Sequence, residues 1–397
     1  MRRLNGLIFI AAIALAACAG NTPTATPTSQ TTPAAVPVTI VATSAQATVT
    51  PAPSTATTTP AQATATPQPT APISTPTAPQ PIATETLVPL PKISLSDEGI
   101  NVSNYNNDNI AALQPFGFGW IQVFNPPDHP IANYKILHRV VLGNAVSGQP
   151  ADVNAWAAQL ENLARERKGI INAYSIGNEV NLSREWGGKP PDPLLYTRLL
   201  AIAYARIKTA DPDAIVVSAG IAPTGGDSAD AMDDLNYARA MFEAGAANFI
   251  DAYGFHPYGF AYEPERDPND PETKGLNFRR AEAHRALMEE FGAGDKQMWA
   301  TEFGWIIDAK AEGLDCTWPS LDWQRVSRNR QAEYVVKAYD FAAKNWPWMG
   351  PMFLWNYDFS LSDQYPDPCE QMKFFSMLDE QGKERPLFGA LKTSSSP

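Results

Sequence analysis

Apolar residues along this chain gather in short runs rich in β-branched and aromatic side chains, at 99–102, 119–124, 135–142, 170–176, 214–219, 249–255, 297–300 and 351–355. Runs of that length read as strands. Between them the spacing changes to that of a helix: Val153, Trp156, Leu160 and Leu163 mark one face, and Leu195, Leu199, Ile202 and Ile207 a rougher second. Further helices are predicted over 235–245, 278–292 and 323–345. A strand-then-helix rhythm requires a parallel sheet, and eight repeats in roughly three hundred residues predict an α/β fold of the (β/α)8 TIM barrel kind. A doubly wound open sheet is the alternative, but no Gly-rich phosphate turn follows the first strand.

The first ninety or so positions have a different pattern. Arg2 and Arg3 precede a short apolar stretch at 7–14, which ends in Leu15-Ala16-Ala17-Cys18. This is the architecture of a bacterial export signal, and its ending resembles a lipobox, in which the cysteine is lipidated and becomes the first residue. Residues 1–18 are therefore expected to be a lipoprotein signal peptide with Cys18 as the anchor. Residues 19–92 are dominated by Thr, Pro, Ala, Ser and Gln, with no charge before Glu85. Such a segment cannot bury a core and is expected to be a disordered, extended linker. That leaves 93–397 as one catalytic-sized domain, held at the outer face of the cell membrane by the lipid alone and expected to act as a monomer.

Composition narrows the partners. The formal net charge of −12 argues against nucleic acid or an anionic membrane surface and is compatible with a neutral substrate such as a sugar. With only four histidines, no clustered metal site is evident in the sequence, and neither a metal nor a cofactor is expected. His129, His138 and His284 carry no assignment.

Several strand candidates end as apolar residues give way to polar or aromatic ones. The run to Gly177 leads into Asn178-Glu179, and that to Phe255 into His256-Pro257-Tyr258. Ala300 leads into Thr301-Glu302-Phe303-Gly304-Trp305, and Leu354 into Trp355-Asn356-Tyr357. In a barrel these ends share one rim, where active sites are built. Glycoside hydrolysis needs one protonated and one ionised carboxyl group, and Glu179 and Glu302 fit that need. Their spacing does not say which is which.

In order and spacing these strand ends resemble clan A glycoside hydrolases, which include cellulase-like, mannanase-like and β-xylosidase-like families. The resemblance runs over the whole barrel. It implies that Glu179 is the acid/base and Glu302 the nucleophile of a retaining mechanism on a β-linked oligo- or polysaccharide. It further implies that Asn178 meets the sugar 2-hydroxyl, that His256 and Tyr258 lie beside the nucleophile, and that Trp355 floors the cleavage point. The clan commonly places an arginine on the second strand beside the nucleophile, where this chain has Gln122. Arg139 on the third strand is the nearest substitute, and alternation leaves open whether it faces inward. Without it, Tyr258, His256 and backbone donors would keep Glu302 ionised.

Trp305 and Tyr357 follow site strands closely and are further candidates for stacking on sugar. Cys316 and Cys369 fall in the loops after the seventh and eighth strands, neighbours in a closed barrel, and a disulfide between them is expected in an exported protein. Two other classes stay open. One is a non-catalytic carbohydrate-binding barrel; the other is a metal-assisted lyase or hydrolase, which would need clustered His and Asp ligands.

Overall fold

A computed structural model describes residues 89–143 and 148–395. The signal peptide, Cys18 and most of the linker lie outside the described residues. Within them no helix is long and apolar enough to cross a membrane.

Eight strands close into a parallel barrel in sequence order: β1 (Gly99–Asn101), β2 (Trp120–Val123), β3 (Lys135–Val140), β4 (Ala173–Ile176), β5 (Ile215–Ser218), β6 (Ala252–Phe255), β7 (Gln297–Phe303) and β8 (Met349–Leu354). Each falls within or overlaps a predicted run. Closure is made by β1 pairing with β8, Gly99 opposite Phe353. The fold is a TIM barrel.

The helices are α1 (Asn107–Leu113), α2 (Val153–Glu166), α3 (Pro193–Ala210), α4 (Asp234–Glu243), α5 (Ala281–Glu290), α6 (Arg328–Asn345) and α7 (Pro386–Ser395). Their starts follow local chemistry. The Asp152, Asp192, Asp233 and Ser327 side chains each accept a backbone N–H from the first turn, and Pro193 sits at the first helical position of α3. Ser327 is why α6 begins at Arg328 and not at the predicted 323. The regular eightfold rhythm also fails once, because no helix joins β2 to β3. That connection contains Pro126, Pro127 and Pro130, which remove helical donors and fix φ.

Alternation along the strands divides the core. Trp120, Leu137, Ala173, Val217, Ala252, Trp299 and Phe353 form one cluster inside the barrel, where the Trp120 and Trp299 rings meet edge to face at 5.1 Å. The alternate residues, among them Ile121, Ile136, Tyr174, Val216, Tyr253 and Met298, pack outward against the helices. The interior is therefore plugged below the rim by aromatic bulk, which leaves the carboxyl ends of the strands as the place where polar groups collect. The amino end of the domain is tied down by Leu90 and Ile93, which pack on the core, and by the Ile93 N–H bonding to Ser394 O at 3.1 Å.

Candidate active site

Glu179 follows β4 by way of a sharp turn. Gly177 has φ +86° and Glu179 itself φ +39°, a left-handed conformation uncommon for a residue with a side chain. The turn is held by the Glu179 N–H donating to Gly220 O at 2.8 Å. It directs a buried carboxylate inward, toward Glu302 near the end of β7.

His256, just past β6, lies between the two. Its Nδ1 is 3.2 Å from Glu179 Oε1 and 3.6 Å from Glu302 Oε2, and its Nε2 is 3.0 Å from the Thr301 hydroxyl. Gly220 makes this approach possible, since a Cβ there would come within 2.0 Å of His256 Nε2. Tyr258 donates its hydroxyl to Glu302 Oε2 at 2.7 Å. From β3, Arg139 Nη1 is 3.3 Å from Glu302 Oε1 and 3.2 Å from Asn178 Oδ1. Arg139 shares a face of β3 with the interior residue Leu137, so alternation turns it inward. Its guanidinium also lies 4.3 Å above the Phe124 ring. Gln122 is inward too, but lower, where it donates to Asn101 Oδ1.

Sequence reasoning did not single out Arg184 and Glu185. Both lie in a 3-10 turn, Ser183–Trp186, shortly after Glu179. Arg184 Nη2 contacts Glu179 Oε2, while its Nε is 3.7 Å from Glu185 Oε1. Asn178 Nδ2 donates to Glu185 Oε1 at 3.5 Å. The adjacent opposite charges soon after a strand end were the signal available. Tyr365, in the loop after β8, is also near enough for the charges of Arg139 and Glu302 to act on its phenol.

These contacts set the charges. Burial pushes the Glu179 carboxyl up, but Arg184, His256 and Arg139 together outweigh it and bring it down to about 2. Glu302 is raised: burial is the largest cause, and the Glu179 charge adds to it against His256, Arg139 and Tyr258. The two carboxyls face one another, so they titrate as a pair. In this geometry the negative charge resides preferentially on Glu179.

The remaining predicted residues divide. Trp355 is buried beside the Phe124 and Phe359 rings, and its indole N–H has no partner. Trp305 does not join the site. After Gly304 the chain turns outward, and the Trp305 indole packs among Phe278 and Tyr334 in the outer core and donates to Tyr262 O at 2.9 Å. Tyr357 is likewise buried in the outer core, near the charges of Asp358 and Glu384. The Cys316 and Cys369 sulfurs lie at bonding distance, with Cα atoms 5.4 Å apart.

Contrary to the expectation of no clustered ligands, Glu179, His256 and Glu302 bring donor atoms within 4.8 Å of one another. A cation there would have to compete with the guanidinium groups of Arg184 and Arg139, one on each carboxylate.

No family model matches this sequence, and no curated protein matches it. Solved structures do match the fold. A family 39 glycoside hydrolase from Bacteroides cellulosilyticus WH2 is 17% identical over 77% of this chain, with a TM-score of 0.54. A glucosidase from Croceicoccus marinus is 12% identical over 78% of this chain and 68% of its own, with a TM-score of 0.54. A family 128 endo-β-1,3-glucanase from Sorangium cellulosum is 16% identical over 75% of this chain and 98% of its own, at 0.50. This chain shares its fold with glycoside hydrolases. It spans 64% of the length of the Bacteroides enzyme.

Proposed function

We propose that this protein is a retaining glycoside hydrolase acting on a β-linked oligo- or polysaccharide, with Glu302 as nucleophile and Glu179 as acid/base. The observation that carries the reading is the pair itself: buried carboxylate oxygens of Glu179 and Glu302 lie within 4.8 Å at the carboxyl rim of a TIM barrel. Retention calls for carboxyls about 5–5.5 Å apart, whereas inversion needs roughly 6.5–9.5 Å to admit a water.

In the first step Glu302 attacks the anomeric carbon while Glu179 gives its proton to the glycosidic oxygen, so the C–O bond breaks and a glycosyl ester forms on Glu302. Glu179, now ionised, then takes a proton from water, which attacks the same carbon and frees Glu302. Arg139 and Tyr258 donate to the Glu302 carboxylate before attack. The Thr301 hydroxyl fixes His256 Nε2 and leaves Nδ1 facing both carboxylates. Trp355, beside Phe124, offers an aromatic floor and a free indole donor for a sugar hydroxyl. The sequence supports export and lipid anchoring through Cys18.

The test is hydrolysis of aryl β-glycosides and of β-glucans, xylans, mannans and galactans. Glu302→Ala should abolish turnover, with azide restoring some of it as the inverted glycosyl azide. Glu179→Ala should lose ~10²–10⁴-fold on natural leaving groups and far less on activated ones. Undiminished Glu302→Ala activity would remove the nucleophile assignment.

A further inference from the structure

The first chemical step requires a proton on Glu179, yet Arg184 sits against that carboxylate and favours its ionised form. The charged and titratable groups facing Glu179 are Arg184 and Glu185 from its own loop, His256 and Tyr258 from beyond β6, Arg139 from β3 and Glu302 from β7. Of these, Arg139 is occupied by Glu302 and Asn178, and His256 is fixed by Thr301. Arg184 is the one able to leave. Its side chain is 58% exposed, whereas the turn beneath it is anchored. Trp186 is buried and donates to Val180 O, the Ser183 N–H donates to Asp230 O at 2.8 Å, and Gly187 closes the turn at φ +64°.

A second carboxylate is already in reach. Glu185 Oε1 is 3.7 Å from Arg184 Nε and is steadied by Asn178 Nδ2, whose Oδ1 in turn accepts from Arg139. Glu179 and Glu185 thus flank one guanidinium. Resting on the glycosidase reading above, we propose that Glu185 is a positioning residue that draws the Arg184 guanidinium off Glu179, so that Glu179 can hold the proton it gives to the leaving group.

The electrostatics run in the same direction. Burial and then the Glu179 charge push the Glu185 carboxyl up, against Arg184, Arg139 and Asn178. Once Glu179 takes a proton, that repulsion disappears and Glu185 ionises more readily. As the guanidinium moves onto Glu185, the one proton of the Glu179–Glu302 pair passes from Glu302 to Glu179, and Arg184 becomes the counter-ion of Glu185. In the resulting state Glu302 is opposed by Arg139 and Glu185 by Arg184, while Glu179 is neutral. That is the charge arrangement that attack by Glu302 needs.

The experiment is the pH profile of kcat/KM for the parent protein, Glu185→Gln, Arg184→Ala and the double variant, each on an activated aryl glycoside and on one with a poor leaving group. Loss of activity at alkaline pH reports deprotonation of the acid. In Glu185→Gln the guanidinium stays on Glu179, so the alkaline limb should move down by about one pH unit and the poor leaving group should slow about tenfold. The activated substrate should change little. Arg184→Ala should move the limb up, and the double variant should follow Arg184→Ala. An unshifted limb in Glu185→Gln overturns the proposal, as does a double variant that keeps the downward shift. Equal slowing of both substrates assigns Glu185 a structural role and overturns it as well. A parent protein with no turnover ends the glycosidase reading and this inference with it, whereas an active parent with an unshifted limb ends this inference alone.

Discussion

Arg139 reaches across from β3 to Glu302 on β7, Nη1 to Oε1 at 3.3 Å, with its guanidinium carbon 4.3 Å from the centre of the Phe124 ring. The contact is possible because Arg139 alternates in phase with Leu137, which fills the interior one layer lower. A third-strand arginine can therefore serve a seventh-strand carboxylate, with Gln122 on the second strand left to a structural bond with Asn101.

Arg139→Met should lower kcat by about 10²-fold, the scale of misplacing a reacting group, because it removes the charge-assisted donor that holds the Glu302 carboxylate ionised and aimed. As the proposed nucleophile, Glu302 must be ionised to attack, and burial already raises its carboxyl. Losing Arg139 raises it further, so the acidic limb of the kcat/KM profile should move to higher pH. An acidic limb that stays in place would separate Arg139 from the nucleophile.

The barrel was legible because each strand carries its own run of β-branched or aromatic residues, and the rim was legible because those runs end abruptly at Asn178-Glu179, His256, Thr301-Glu302 and Trp355. Other features depended on contacts that a linear pattern does not contain. Trp305 stands three residues after Glu302, but Gly304 at φ +158° turns the chain away, and the indole fills the space that Gly259 leaves open. Arg184 and Glu185 sit in a short turn without periodicity, and their contacts come from the fold returning that turn to Glu179. The missing helix between β2 and β3 was present in the sequence, as Pro126, Pro127 and Pro130.

Trp305 and Trp355 should differ in KM under the same substitution. Trp305→Phe removes the donor to Tyr262 O and volume from a buried cluster, so stability should fall by about 1–3 kcal/mol with KM unchanged. Trp355→Phe also removes buried ring volume, beside Phe124 and Phe359, but breaks no hydrogen bond because the indole N–H has no protein partner, so stability should fall less while KM rises about tenfold. Thermal melts and steady-state kinetics on both variants decide it; a raised KM in Trp305→Phe would return that residue to the cleft.

Cys316 and Cys369 should form a disulfide, and no thiol from either should titrate in denatured, unreduced protein. The sequence separation is 53 residues, for which the chain-entropy model gives about 4 kcal/mol of stabilisation. The bridge would join loops that also share Trp318, whose indole donates to Cys369 O and whose ring packs against Phe374. Reduction should therefore lower the melting temperature. Two reactive thiols without reductant would exclude the bridge.

His138 gives the domain a specific acid sensitivity. It is buried on the outer face of β3 with its Nδ1 unpartnered, and burial brings its imidazole down to about 4, with the nearby Arg139 charge acting in the same direction against a bond to the Val123 backbone. The unfolded chain returns it to an ordinary value near 6.5. Between those two values the unfolded state binds a proton that the folded state refuses. The stabilising contribution of the neutral imidazole is therefore present above about pH 6.5 and is lost as pH falls toward 4. From pH 7 to pH 5 the loss amounts to about 2 kcal/mol. His138→Gln cannot titrate, so denaturant unfolding at the two pH values should show a drop smaller than the parent's by about that amount. Equal drops in the two proteins would mean that His138 takes up its proton as easily folded as unfolded, and that the acid sensitivity lies in the paired carboxylates instead.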